Sequence, residues 1–200
     1  MTIAVLASEE QWEELNLDAT KINWVRITSL QQEIVAADGY IILQKVSKQQ
    51  LQNIRQPVIL NSVAATLKEL QTESNVVRIN GWNSFLSRNI WEVAGAITDE
   101  TTQILTALNK QYIEVADEPG LIAARVITMI INEAYFALGQ EVSSKEEIDT
   151  AMKLGTNYPW GPFEWSRIIG VKNIYELLLV LSKNDKRYLP APLLQTEANA

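Results

Sequence analysis

The sequence predicts an α/β layer built on a mostly parallel sheet, followed by an all-helical half. Up to about Val115, short apolar runs of strand length alternate with segments of helical periodicity, the order that places a parallel sheet between helices. From Pro119 onward the strand-like runs cease, and helices follow one another with caps, prolines and glycines between them. A chain of 200 residues, 47% apolar and 20% charged, can bury a core and does not have the composition of a disordered segment.

The elements are read in order. Ile3 to Ala7 forms a first strand, Glu9 to Asn16 a helix and Trp24 to Ile27 a second strand. Gly39 to Leu43 and Pro57 to Leu60 are further strands, with a helix from Lys48 to Ile54 between them. Val76 to Ile79 and Trp91 to Val93 follow. Asp99 to Leu108 reads as a helix, since acidic residues in a first turn complement the helix dipole. Ile113 to Val115 is the last strand. Pro119 suits a first helical turn, and the apolar segment from there to Leu138 reads as a central packed helix. Ser144 and Glu147 make a capping box, Gly155 supplies a left-handed stop, and together they mark a helix from Lys145 to Leu154. Pro162 opens another helix that ends at Gly170, and Ile174 to Ser182 forms a leucine-rich one. From Leu189, with Pro190 and Pro192, the tail is expected to be extended.

Composition removes several function classes. The chain has no cysteine, which excludes thiolate nucleophiles, disulfides and Cys-based zinc sites. It has no histidine either, which excludes Ser-His triads, His–carboxylate dyads and ordinary His-ligated metal sites. A net charge of −7 without a dense basic run disfavours nucleic acid as a partner. Arg125, Asn132 and Glu133 interrupt the most apolar stretch, Leu121 to Leu138, so a buried helix is expected and not a membrane span. Met1 to Glu10 lacks a basic and then apolar leader pattern, and a cytoplasmic location is expected. No Tyr precedes a Lys by four residues, and no Gly-rich phosphate loop or Gly-x-Ser-x-Gly elbow is present.

Four strings are familiar in order and spacing. They are Asp117-Glu118-Pro119-Gly120-Leu121-Ile122, Asn132-Glu133-Ala134, Ile148-Asp149-Thr150-Ala151-Met152-Lys153-Leu154-Gly155, and Tyr158-Pro159-Trp160-Gly161-Pro162-Phe163-Glu164 followed by Gly170. Together they resemble the C-terminal domain of 3-hydroxyacyl-CoA dehydrogenases, of the 3-hydroxybutyryl-CoA dehydrogenase kind. Upstream the match continues more weakly. Asn61 to Leu67 falls where the family carries a Ser-Asn-Thr-Ser strand end, Gly81-Trp82-Asn83 where it carries Gly-Met-His, and Trp91-Glu92-Val93 where it carries a Val-Glu-Val strand. The resemblance implies a trimmed Rossmann-like domain over 1–116, shortened between Ile3 and Asn61. It implies a helical, 6-phosphogluconate-dehydrogenase-C-terminal-like dimerisation domain over 117–200.

The same resemblance implies what hydride transfer would require. NAD, the family's cofactor, rests its pyrophosphate on a glycine-rich strand-to-helix turn. Here that turn reads Ala7-Ser8-Glu9-Glu10, with no glycine before Gly39. Ser8 is expected to cap the helix, with Glu9 and Glu10 repelling a pyrophosphate from its first turn. The family's base, a His held by a Glu, corresponds to Asn83 and Glu92, and Asn is no base. The substrate-positioning Ser corresponds to Ala65, give or take one residue, and the positioning Asn to Ala124, just before Arg125. Glu92 is therefore expected to have nothing to orient. No metal site and no bound NAD are expected. Trp160 and Trp165, flanking the Tyr-Pro-x-Gly-Pro-Phe turn, are read as core or dimer-interface filling, or as a recognition surface for an acyl group or partner protein.

The expected protein is a catalytically silent relative, a pseudoenzyme of acyl-CoA and fatty-acid metabolism. It dimerises through its C-terminal helices and binds an acyl-CoA-like ligand or an active homologue. The alternative is an active NAD-dependent 3-hydroxyacyl-CoA dehydrogenase with a rearranged site.

Overall fold

The computed structural model describes residues 1–17, 22–30 and 37–200. Residues 18–21 and 31–36, within the region expected to be shortened, lie outside the described residues. The chain divides into two compact units, Met1–Leu121 and Ile122–Ala200.

The first unit runs β1 (Thr2–Leu6), α1 (Glu9–Leu15), β2 (Asn23–Ile27), β3 (Gly39–Ile42), α2 (Lys48–Gln52), β4 (Val58–Asn61), α3 (Leu67–Leu70), β5 (Val76–Ile79), β6 (Ile90–Ala94), α4 (Asp99–Ala107) and β7 (Gln111–Glu114). Among the described residues these strands form one sheet in the order β2-β1-β3-β4-β5-β6-β7. All neighbours are parallel except β5 and β6, which are antiparallel. The order reverses beside β1, because β2 lies on one side of it and β3 on the other. In the doubly wound order 3-2-1-4-5-6 a further strand lies outside the second; among the described residues β2 is the outermost strand on that side.

Strand composition follows burial. Every residue of β3 and β5 is buried, and a strand covered on both faces reads as a continuous apolar run, which in β5 only Arg78 interrupts. Alternate residues feed two cores. Ile3, Val5, Ile41, Ile59, Val77 and Ile79 pack with Ile104 and Leu105 on one face. Ala4, Leu6, Tyr40, Ile42, Val58 and Leu60 pack with Leu51 and Ile54 on the other. Two local expectations shift. α3, absent from the sequence reading, is a single turn that exists because Thr66 and Glu69 close a capping box around it. The last strand begins at Gln111, not Ile113: Asn109 turns left-handed at φ 55°, and the Gln111 amide then bonds to Asn89 O.

The first unit ends at Leu121, past the expected boundary after 116, because residues 117–120 are bonded into it. Asp117 accepts from Arg78 Nε and from the Leu67 amide, and Gly120 N donates to Val63 O.

The second unit is helical: α5 (Ala123–Gly139), α6 (Lys145–Thr156), α7 (Pro162–Ile169), α8 (Val171–Ser182), one 3-10 turn (Lys186–Tyr188) and α9 (Pro192–Ala198). Three expectations are corrected. Pro119 does not start α5; Gly120 (φ 83°) and Leu121 (φ 49°) turn left-handed after it, and the helix begins at Ala123. Gly155 lies inside α6, and the left-handed cap falls to Asn157 (φ 56°), whose amide bonds to Lys153 O. The tail is not extended. Pro192 sits in the first turn of α9, where its missing N–H is harmless, and Leu194 and Ala198 are buried. Among the described residues no helix is long and apolar enough to cross a membrane.

Candidate functional site

In an open α/β sheet, ligands lie at the carboxyl ends of the strands, where the strand order reverses. Here that place is built by the ends of β1, β3, β4 and β5. β1 leaves through Ala7 into Ser8, which caps α1. The Ser8 hydroxyl accepts from Gln11 N, and Ser8 N donates to Gln11 Oε1 at 3.1 Å, closing a capping box. Ser8 Oγ also donates to Glu10 Oε2 at 2.8 Å. That bond, with a backbone hydrogen bond and the Arg26 charge, holds the Glu10 carboxyl below its usual range. Glu9 pairs with Arg26 at 2.6 Å. The first turn of α1 thus carries two carboxylates and a cap made by its own side chains.

β4 and β5 meet through Asn61. Its Nδ2 donates to Leu43 O and its Oδ1 accepts from Gly81 N, each at 3.0 Å. A Cβ on residue 81 would stand 2.8 Å from the Asn61 side chain, so only glycine lets the strand ends close this tightly. After Gly81 the chain turns through Trp82, Asn83 and Ser84, with Ser84 in the left-handed region at φ 74°.

Ala65 follows β4, Asn83 follows β5, and Glu92 lies on β6, so three of the four positions expected from sequence fall on or after neighbouring strands. Each is half-buried. The Ala65 carbonyl accepts the Ser62 hydroxyl at 2.6 Å, and its methyl offers no hydrogen bond. Desolvation lowers the Arg88 pKa, and the negative charges of Glu92 and Glu14 oppose that shift, so Glu92 lies in the field of Arg88. The fourth position, Ala124, belongs to the helical unit, where it is fully buried on α5.

In the helical unit the familiar strings are structural. Asp149, 5% exposed on α6, accepts from the Phe163 and Glu164 amides at 2.7 and 3.1 Å and so caps α7. Gly161 is required beside it, because a Cβ there would stand 2.4 Å from Asp149 Oδ1. Lys153 reaches Glu164 at 2.6 Å. Asn132 donates to Leu189 O and accepts from Ala191 N, fastening the segment that leads into α9.

Tyr135, Ser166 and Lys145 come together although no local Tyr–Lys motif exists. Tyr135 OH donates to Glu197 Oε2 at 2.7 Å and lies 3.4 Å from Ser166 Oγ, and Lys145 Nζ pairs with Glu197 Oε1 at 2.5 Å. Burial pushes the Tyr135 phenol up to about 12, the wrong direction for a proton acceptor near neutral pH. The group therefore ties α9 to α5 and α6. Trp165 is buried at 2% exposure against Tyr158, whose ring centroid is 5.4 Å away, while Trp160 is 42% exposed. Among the described residues no cluster of three or more His, Cys, Asp or Glu could hold a metal ion.

Sequence reading missed Gln11, Glu14, Asn61 and Arg78, all of which bond to groups many residues away. Of these only Gln11 carried a local signal, its place three residues after Ser8.

Comparison with known proteins converges on one family. Residues 120–200 match the family model described as 3-hydroxyacyl-CoA dehydrogenase, C-terminal domain. The 3-hydroxyadipyl-CoA dehydrogenase of Escherichia coli is 41% identical over 103 residues, covering 50% of this chain and 22% of that protein. The 3-hydroxybutyryl-CoA dehydrogenase of Clostridioides difficile is 35% identical over 109 residues, covering 51% of this chain and 39% of that protein. The match thus spans well under half the length of either relative. In fold, the crystal structure of (S)-3-hydroxybutyryl-CoA dehydrogenase from Ralstonia eutropha superposes with a TM-score of 0.71 at 18% identity, over 98% of this chain and 92% of that one.

Proposed function

This chain belongs to the 3-hydroxyacyl-CoA dehydrogenase family, and from that premise we propose that it is a non-catalytic member, a homodimeric binding or scaffolding protein of acyl-CoA metabolism in the cytoplasm. The observation that carries the reading is the turn after β1. A dinucleotide needs backbone amides and a positive helix end facing its pyrophosphate. The turn here is closed by the Ser8–Gln11 capping box and carries Glu9 and Glu10, whose charges oppose an anion. These residues do not fit NAD. Asn83, where the family is expected to place its base, cannot take up an alcohol proton, and Ala65 and Ala124 offer no group to position a substrate.

Support for a dimer comes from the family resemblance and from the apolar side chains that the helical unit leaves exposed, among them Ile122, Val126 and Leu193. A two-fold pairing of α-helical surfaces is the expected form.

Titration with NADH, followed by cofactor fluorescence with and without acetoacetyl-CoA, tests the reading. No saturable binding up to millimolar NADH is the expected result. Micromolar binding overturns it in favour of an active dehydrogenase with a rearranged site. Sedimentation equilibrium tests the dimer, and a monomer at tens of micromolar overturns that part alone.

A further inference from the structure

The crevice at the carboxyl ends of the strands holds a side chain of the protein itself. Gln11 on α1 is 5% exposed, and its carboxamide uses both ends. Nε2 donates to Gly81 O at 3.1 Å and to Leu43 O at 3.5 Å, while Oε1 accepts from Ser8 N at 3.1 Å and from Gln44 Nε2 at 2.5 Å. It therefore touches the strand ends of β1, β3 and β5, on both sides of the position where the strand order reverses. Glu14, three residues on and on the same face of α1, accepts from two amides of the turn after β5: Ser84 N reaches Oε2 and Ser87 N reaches Oε1, each at 3.0 Å. The turn needs such support, because Ser84 sits at φ 74°, a conformation that costs a non-glycine residue free energy unless its surroundings impose it.

We infer that α1 is an internal clamp that takes the place of a dinucleotide: the Gln11 carboxamide fills the crevice at the strand-order reversal, and Glu14 locks the 81–87 turn that carries Asn83. The crevice then keeps one closed conformation without any ligand. In a nucleotide-binding sheet the polar groups at the strand ends meet a cofactor; here the carbonyls of Leu43 and Gly81 are met by the side chain of residue 11. The inference rests on the non-catalytic reading above and supplies its structural cause.

Residue-resolved amide exchange on the full chain tests it, with Glu14→Ala, Glu14→Gln and Gln11→Ala. The expected result is slow exchange at Ser84 and Ser87 in the native chain and at least tenfold acceleration in Glu14→Ala. Glu14→Gln, which keeps one acceptor oxygen, falls between the two. Gln11→Ala accelerates exchange at Ser8, whose amide loses its Oε1 acceptor, and the Ile127 and Ile131 amides of the helical unit keep their native rates in all three variants. Fast exchange at Ser84 and Ser87 in the native chain overturns the clamp, as does no change in Glu14→Ala. A failure of that kind with no NADH binding leaves the non-catalytic reading standing; saturable NADH binding by the native chain overturns both.

Discussion

Arg78 Nε donates to Asp117 Oδ1 at 2.5 Å from a fully buried position on β5, and this pair ties the last residues of the first unit to its sheet. The same guanidinium donates to Ser62 O at 2.9 Å and to Glu118 O at 2.6 Å. The carboxylate also accepts from the Leu67 and Lys68 amides, so one residue of the connecting segment caps α3 while neutralising a buried cation. Removing either partner strands the other.

Asp117→Ala therefore leaves a desolvated guanidinium without its carboxylate and takes the acceptor from the Leu67 and Lys68 amides, while Thr66 still caps α3. A loss of ~3–5 kcal/mol is expected for breaking a buried ion pair from one side. Urea denaturation followed by tryptophan fluorescence measures it. Arg78→Met, which removes the charge together with its desolvation cost, is expected to cost less than Asp117→Ala; the reverse order would contradict the assignment of Asp117 as the compensating charge.

At the α6–α7 corner, Asp149→Ala removes the acceptor for the Phe163 and Glu164 amides, and a loss of about 1–2 kcal/mol is expected from an uncapped helix. Gly161→Ala drives a Cβ against Asp149, whose Cα would lie 2.5 Å away. Overpacking of this kind costs roughly 1–3 kcal/mol. Asp149→Ala keeps the Cα and Cβ against which that Cβ would press, so the clash persists and the double variant should lose close to the sum of the two. A double variant that loses much less than the sum would show that the Asp149 carboxylate alone makes the clash.

Asn132→Leu breaks both bonds to the 189–191 segment and leaves the buried Ala191 amide without a partner, while Leu189 is exposed and its carbonyl can turn to water. A loss of about 1–3 kcal/mol is expected for one unsatisfied buried backbone group. Limited proteolysis should then cut first at the chain's C-terminal end, before α5. Cleavage in α5 first, with α9 intact, would place the effect elsewhere.

The Tyr135–Glu197–Lys145 group gives the helical unit a pH dependence with two arms. Burial raises the Glu197 carboxyl, but hydrogen bonds from Lys145 and Tyr135 and the Lys145 charge outweigh it, so the folded pKa lies below the ordinary glutamate value. A depressed carboxylate contributes stability above its unfolded pKa and loses it as pH falls through the folded one. Tyr135 runs the other way. Its pKa is raised from 10.0 to about 12, mainly by burial, so its contribution is present below 10 and lost as pH rises toward 12. Thermal midpoints should be level between these limits and fall on either side. Glu197→Gln should flatten the acid arm, and Tyr135→Phe the alkaline arm; an acid arm unchanged in Glu197→Gln would assign it to other carboxylates.

Local features of the chain were legible without coordinates. The capping residues of α1 and α6, the proline that opens α7 and the apolar runs of β3 and β5 each act within a few residues or follow from uniform burial. The missing glycines and the missing histidine were equally plain, and they bear most directly on function. Where several signals of similar strength competed, reading failed. Gly155 and Asn157 both suit a helix stop, and the left-handed residue is Asn157; Pro190 and Pro192 suggested an extended tail, while burial of Leu194 and Ala198 made a helix of it.

By itself, the sequence determined the two fold layers, the family resemblance and the lack of histidine and of a glycine-rich loop, because these depend on residue type and short-range order. Tertiary structure alone decided that β2 is the outermost of the described strands beside β1, that Gln11 and Glu14 hold the strand ends, that Arg78 belongs to Asp117, and that Asp149 caps a helix other than its own. Those partners stand between 14 and 73 residues apart. A side chain's local surroundings specify that it must find a hydrogen-bond partner when buried, and only the folded chain specifies which one.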